Sequence, residues 1–349
     1  MKLSRRTVMG GMVGVAAALA FPSVLRAQSR ELVMIGYGNE QDEPLMRAGE
    51  ELGRRHPGVT LTIIGGLSTE AMAQIKAARG NSPYDMAVMG SPAIINALDE
   101  DVLEPLDLSM IPNAANIDER FVPYGYDAGC PITFEGIGVA YNTEAIETPP
   151  ATWADLWNPD FAGRVGMARP QSNLGLGVLA ATSAAFDRPQ DDMEFALQKW
   201  QELDPLVGRS PPLLQQMIER GEIDIAPLWH VNTALAAAAG LPVAYAKIAG
   251  PGPLMLPSNV VHFINTADGT RELVHEFADI MLEQQSQAMA GGAPCYFGTV
   301  VKGMEVAEEA RPFVPSTEDE IASMTSLDWP AIAPLRGTTV ENFDRMFAG

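Results

Sequence analysis

Leu32-Val33-Met34-Ile35-Gly36, Val59-Thr60-Leu61-Thr62-Ile63-Ile64 and Asp85-Met86-Ala87-Val88-Met89 are three short, mainly apolar runs, each separated from the next by a helical stretch. Runs of this length, rich in Val, Ile, Leu and Met, read as buried strands. Between the first two, Asp42 to Arg55 reads as a helix with Pro44 near its start, and His56-Pro57-Gly58 stops it. Ser68-Thr69-Glu70 opens the next helix, which runs to Arg79 and closes at Gly80, and Ser91-Pro92 caps a short third helix with proline in its first turn. Strands alternating with helices at this spacing predict βαβ units and a parallel sheet.

The second half repeats the theme. Val165 to Ala168 reads as strand, Ser172 begins a helix, Asp191 to Leu203 is amphipathic helix, and Pro211 to Arg220 another. Ile223 to Leu228 is strand, Asn232 to Ala239 an Ala-rich helix ending at Gly240, and Val243 to Lys247 strand again. After the turn residues Gly250-Pro251-Gly252-Pro253, Val260 to Ile264 returns to strand and Asp268 to Met289 reads as one long helix. The chain reads as two α/β modules without a short-period repeat.

Toward the N-terminus the character changes. Ser4-Arg5-Arg6-Thr7-Val8-Met9 is a twin-arginine element, followed by an apolar stretch from Val8 to Ala20, Pro22, and Leu25-Arg26-Ala27. A basic head, a short apolar region and a small residue at the cut describe an export signal over residues 1–27, cleaved near Ala27. The apolar stretch is shorter than the roughly 20 residues a membrane span requires. The working protein is expected in the periplasm. Of the 23 basic residues, four (Lys2, Arg5, Arg6 and Arg26) leave with the signal, so 19 face 44 acidic residues and the balance is -25. That field repels phosphate backbones and makes nucleic acid an unsuitable partner. With 47% hydrophobic and 19% charged residues, the remainder is a globular chain long enough for two domains.

Two cysteines, Cys130 and Cys295, permit either one disulfide closing a long loop or two buried thiols. The four histidines show no metal-ligand spacing, and His56 and His275 are expected at the surface. No cofactor fingerprint is present. Gly36-Tyr37-Gly38 lacks the third glycine of a dinucleotide loop, and there is no Gly-x-Ser-x-Gly, His-Glu-x-x-His or Cys-x-x-Cys.

Ligands of open α/β sheets bind beyond the carboxyl ends of the strands, where helices begin. Those turns are Gly38-Asn39-Glu40, Ser68-Thr69, Gly90-Ser91, Gln171-Ser172-Asn173 and Trp229 to Asn232. Their hydroxyl and amide side chains, with free N–H groups and helix dipoles, suit oxygen atoms. Each such side chain also has the alternative duty of capping its own helix.

Several segments resemble the extracellular solute-binding proteins of ABC importers, in the branch that includes polyamine- and iron-binding members. They are Leu67-Ser68-Thr69-Glu70 with Ile75 to Asn81, Gly136-Ile137-Gly138-Val139-Ala140-Tyr141-Asn142-Thr143, and Thr152-Trp153-Ala154-Asp155-Leu156-Trp157-Asn158-Pro159 followed by Gly163-Arg164-Val165. Trp153 and Trp157, four apart, are expected to pack one helix face. The resemblance implies a periplasmic-binding-protein-like (type II) α/β fold. Its two lobes would be 28–136 plus 257–302 and 137–256 plus 303–349, with crossings near Phe134 to Ile137 and Pro253 to Ser258. It further implies a monomer that closes over a small solute and presents it to an inner-membrane ABC permease, with no cofactor and no metal.

For the ligand, polyamine-type members hold ammonium groups with carboxylates and aromatic rings, and Glu40, Trp229 and Tyr37 stand at suitable places. At the second-lobe turn, where that subgroup carries acids, this chain has Ala168-Arg169-Pro170-Gln171-Ser172-Asn173, and at the second crossing Leu254 to Asn259. The adjacent tyrosines of iron-binding members are missing after Leu228. The resulting constellation is Asn39, Glu40, Ser68, Ser91, Tyr126, Thr133, Arg169, Gln171, Ser172, Asn173, Trp229, Asn232 and Asn259. It points to a small anionic or zwitterionic metabolite bearing a carboxylate, phosphate or phosphonate. Its oxygens would lie at Arg169 and Ser172, any amino group at Glu40, and Trp229 would either stack on it or pack within its lobe. Alternatives are polyamine binding by the same fold, a sensory receptor of the same shape, and an exported enzyme, for which no catalytic motif speaks.

Overall fold

The computed structural model describes residues 29–65, 68–78 and 82–347. The export-signal segment lies outside the described residues, as does the Ser68 side chain. The strands are β1 (Arg30–Gly36), β2 (Val59–Gly65), β3 (Met86–Gly90), β4 (Leu103–Glu104), β5 (Gly129–Asn142), β6 (Gly166–Ala168), β7 (Leu206–Gly208), β8 (Ile225–Trp229), β9 (Val243–Ala246) and β10 (Leu254–Phe263). Helices α1 (Glu43–Arg55), α2 (Ser68–Ala77) and α3 (Ser91–Asp99) belong to the first module. Helices α4 (Asn173–Ala185), α5 (Met193–Gln201), α6 (Pro211–Glu219) and α7 (His230–Ala238) belong to the second. Then follow α8 (Thr270–Met281), α9 (Gln284–Gly291), α10 (Glu318–Ser323), α11 (Trp329–Ile332) and α12 (Arg336–Phe347).

β1 lies between β2 and β3 and runs parallel to both, as the alternation of strands and helices predicts. In the second module β6 runs parallel to β7, and a parallel bridge from Val165 to Ile225 joins its edge to β8. The sheet is nevertheless mixed. β10 is antiparallel to both β3 and β5, and β5 is antiparallel to β8 and β9. These two long strands tie the modules together. β10 pairs with β3 from Ser258 to His262 and with β5 along most of its length. β5 pairs with β8 only from Ile137 onward. Glu135 and Gly136 therefore sit where the chain passes from one module to the other.

β10 begins six residues earlier than the apolar pattern predicts, because Pro257 interrupts it. A proline lacks the N–H that a central strand needs. Here Pro257 lies opposite Phe134 just before pairing with β3 starts, and the register shifts between Ser258 and Asn259.

The helix expected from Asp268 to Met289 is two helices. Glu283 is extended (φ -65°, ψ 148°), and the buried Gln287 amide donates to the carbonyls of Met281 (2.8 Å) and Ile132 (2.7 Å), holding the break. Trp153 to Trp157 forms a 3-10 turn with a Thr152/Asp155 capping box. Its indoles do not share a helix face. Trp153 is buried and donates to Gly252 O (3.2 Å), while Trp157 donates to Lys199 O (2.9 Å) and meets Trp200 edge-on.

His275 is buried, against the surface placement expected. Its Nε2 accepts from the Asp107 amide (3.0 Å) and its Nδ1 donates to Arg271 O (2.8 Å), so the ring braces α8 against the loop after β4. His56 is partly exposed and pairs with Glu276 at 2.6 Å. Cys130 and Cys295 are both buried free thiols, their pKa values pushed up by burial to about 12 and about 11. No helix among the described residues is long and apolar enough to cross a membrane.

Candidate functional site

A cleft of about 350 Å³ opens between the turn after β1 and the helix starts after β8. That volume suits a small solute. On one side, Asp42 accepts from the amides of Tyr37 (2.7 Å) and Gly38 (2.8 Å), and Asn39 caps the following turn by accepting from Gln41 N (2.8 Å). The loop is thus pinned from below, and Asn39, Glu40 and Gln41 line the cleft. On the other side stand Trp229, Val231, Asn232 and Leu235, with Pro211 and Pro212 from the start of α6. Glu135 projects from the crossing segment of β5 into the same space. Among the described residues, no lysine, arginine or histidine lines it.

Four of the thirteen expected residues meet here: Asn39, Glu40, Trp229 and Asn232. Thr133 lies two residues before Glu135 on the same face of β5, buried, its hydroxyl without a partner in full hydrogen-bond geometry among the described residues. The others are engaged elsewhere. Arg169 pairs with Asp344 and lies over the Phe343 ring (5.8 Å to its centre), so the guanidinium expected to grip an anion serves α12 instead. Ser172 is a cap: it accepts from Gly175 N (3.0 Å) and donates to Arg169 O (2.9 Å). Asn173 Oδ1 and the Gln171 carbonyl accept from Arg336, each at 2.8 Å.

Ser91 is buried, its hydroxyl 3.4 Å from Tyr124 O. Tyr126 takes a left-handed backbone (φ 48°) beside it, and burial raises its phenol pKa. Asn259 is fully buried among the carbonyls of Met89, Tyr124 and Pro257 at 3.3–3.4 Å.

Glu135, which lines the cleft, is not among the residues expected from sequence. The available signal was a lone acid inside an otherwise uncharged fourteen-residue strand. Burial without a basic partner raises its pKa to about 7. Arg336 was also missed; it is partly buried, its pKa lowered by that burial, and it holds the turn after β6 through three oxygens. His230, behind Gly136, is no counter-ion for Glu135. Its Nδ1 accepts from the Gly136 amide and its Nε2 donates to Tyr296 O, both at 2.8 Å, and burial lowers its pKa to about 4.

The family model for bacterial extracellular solute-binding proteins matches residues 48–309, three quarters of the chain. The chain belongs to that family. Among its relatives is a gamma-aminobutyric acid-binding protein of Pseudomonas aeruginosa, 23% identical over 334 residues that cover 89% of this chain and 90% of the relative. Another is a spermidine/putrescine-binding periplasmic protein of Haemophilus influenzae, 26% identical over about half of each chain (52% and 53%). The crystal structure of an extracellular solute-binding protein from Bordetella parapertussis superposes with a TM-score of 0.77 at 18% identity, covering 90% of this chain and 98% of the other. The likeness establishes the two-lobed α/β fold of periplasmic binding proteins. As a solute-binding component of ABC importers, a member of this family takes up a small molecule and delivers it to a permease. Its relatives here are solute-binding proteins, not enzymes.

Proposed function

We propose that this protein captures a small solute carrying an ammonium group, of the amino-acid or short-amine type, and hands it to a membrane permease. One observation carries the reading: two carboxylates, Glu40 and Glu135, share a cleft with Trp229, and among the described residues no cationic side chain lines it. Carboxylates and an aromatic face together attract an alkylammonium by charge pairing and cation–π attraction. The amides of Asn39, Gln41 and Asn232 supply N–H donors for the oxygens of a zwitterion. The ligands named for the two relatives, gamma-aminobutyric acid and spermidine or putrescine, share a primary ammonium. A purely anionic ligand loses its main support because Arg169 is paired with Asp344.

In this reading the lobes are residues 28–136 with 257–302 and 137–256 with 303–349, and β5 and β10 cross between them. A ligand that touches the β1 turn and the β8 turn at once binds the closed form better and shifts the population toward it. The mature protein, exported after cleavage near Ala27, works as a periplasmic monomer. Calorimetric titration of residues 28–349 with 4-aminobutyrate, putrescine, spermidine and phosphonoacetate tests the ligand class. Binding of one of the amines supports the reading, and tight spermidine binding specifically would select its polyamine form. Binding of phosphonoacetate alone rejects it.

A further inference from the structure

Behind Glu135, which lines the cleft, lies a group of buried polar side chains. Thr133 and Ser258 face each other across the β5–β10 ladder, and Glu135 is the next residue of β5 on the same face. The Tyr37 phenol reaches over them from the end of β1, against both hydroxyls and near the Glu135 carboxylate. Tyr37 Oη and Thr133 Oγ1 are buried; the phenol has the Ser258 and Thr133 hydroxyls as polar neighbours, but neither atom has a partner in full hydrogen-bond geometry among the described residues. Glu135 pairs with no lysine, arginine or histidine among the described residues, and both nitrogens of the nearby His230 are occupied.

Buried polar atoms are almost always hydrogen-bonded, so a cluster of orphans around a lone carboxylate marks a place prepared for a partner from outside. A positively charged partner with several donors satisfies the Glu135 carboxylate and the oxygens around it together. A primary ammonium offers three N–H groups, whereas a quaternary ammonium offers none.

We propose that Glu135, Thr133, Ser258 and Tyr37 form a socket for a primary ammonium on the crossing strands, distinct from the Glu40–Trp229 wall. The inference rests on the amine reading above and adds to it which end of the ligand enters first and which amines are refused. Because the socket is built on β5 and β10, filling it places the ligand's charge on the two strands that join the modules. N-methylation removes donors where the acceptors converge. Removal of the carboxylate leaves a buried cation without its counter-charge.

Titration calorimetry of the mature protein with 4-aminobutyrate, putrescine and their N,N,N-trimethyl analogues tests this, with wild type, Glu135→Gln and Thr133→Val compared. Urea denaturation confirms that each variant is folded. A charge-assisted hydrogen bond lost in a desolvated site predicts that Glu135→Gln weakens binding of the primary amine about 10- to 100-fold, and Thr133→Val by about 3- to 10-fold. The trimethyl probes are expected to bind wild type at least about 10-fold more weakly than the primary amines. Wild type that binds a trimethyl probe as well as its parent overturns the socket, independently of how any variant folds. So does a folded Glu135→Gln that keeps its affinity within about twofold, and in either case the ammonium reading of the cleft survives. Wild type that binds no amine at all overturns both.

Discussion

After β1 the chain turns with two of its amides on Asp42, leaving Asn39 and Glu40 facing the cleft. After β6 the corresponding turn is taken up by the C-terminal helix: Arg336 binds its oxygens, Ser172 caps α4, and Arg169 pairs with Asp344. The two turns are alike in composition and opposite in availability. Hydroxyl and amide groups after a strand become a binding surface only where no neighbouring element satisfies them first. In the first module the supporting contact comes from below the loop. In the second, Arg336 and Asp344 of α12 bind the turn's own oxygens and its arginine.

The widest test of that asymmetry is in the cores. Trp200 is fully buried, donates to Thr182 Oγ1 (2.8 Å) and anchors the second module, and Leu32 is its fully buried counterpart in the first. Trp200→Ala is expected to cost about 3–5 kcal/mol and Leu32→Ala about 2–5 kcal/mol in urea denaturation. Each should give a single transition, because β5 and β10 are shared. Two separated transitions would show that the modules are energetically independent.

The supports of the two turns can then be removed in turn. Asp42→Ala strands two amide N–H groups and is expected to cost about 1–3 kcal/mol, with a parallel loss of amine affinity. Arg336→Ala is expected to cost about 1–2 kcal/mol while affinity stays within about twofold. Equal losses of affinity in the two variants would break the contrast.

Proton linkage sharpens it further. Glu135, with its folded pKa raised to about 7, favours the native state while protonated, so that contribution is full below the unfolded carboxylate value and is lost as pH rises through 7. Glu135→Gln should therefore raise the stability of the ligand-free protein at pH 8 by about 1–3 kcal/mol and leave it almost unchanged at pH 4. His230 acts in the opposite sense. Its folded pKa of about 4 means that stability is lost as pH falls from the usual histidine value toward 4. Amine affinity should rise from pH 5 to pH 8 in wild type and stay flat in Glu135→Gln, a difference that calorimetry at the two pH values resolves. The smallest effect belongs to Arg169→Ala. Its partly exposed pair with Asp344 is worth at most about 1 kcal/mol, and amine affinity should not change.

Much of the fold was legible because strands and helices have different apolar periods. β1, β2, β3, α1 and α6 fall within a residue or two of their expected limits. What was not legible depends on contacts distant in sequence. The mixed direction of the sheet follows from β10 inserting between β3 and β5, and the break after α8 follows from Gln287 reaching Ile132. The same holds for the site. Glu40 and Trp229, which line the cleft, stand in turns after strands that the sequence marks. The Arg169 pair with Asp344 joins residues 175 apart, which no local pattern announces, and an acid within a strand, such as Glu135, carries no local motif.

β10 has a bearing on how this chain is made. Residues 86–90 leave the ribosome early, yet their neighbour in the sheet is 258–262, which follows almost the whole second module. Until it arrives, the edge of β3 stays open and apolar, a surface on which other chains can add. No single cut between the modules yields two separately expressible halves, since the N-terminal piece would lack the strand that completes it.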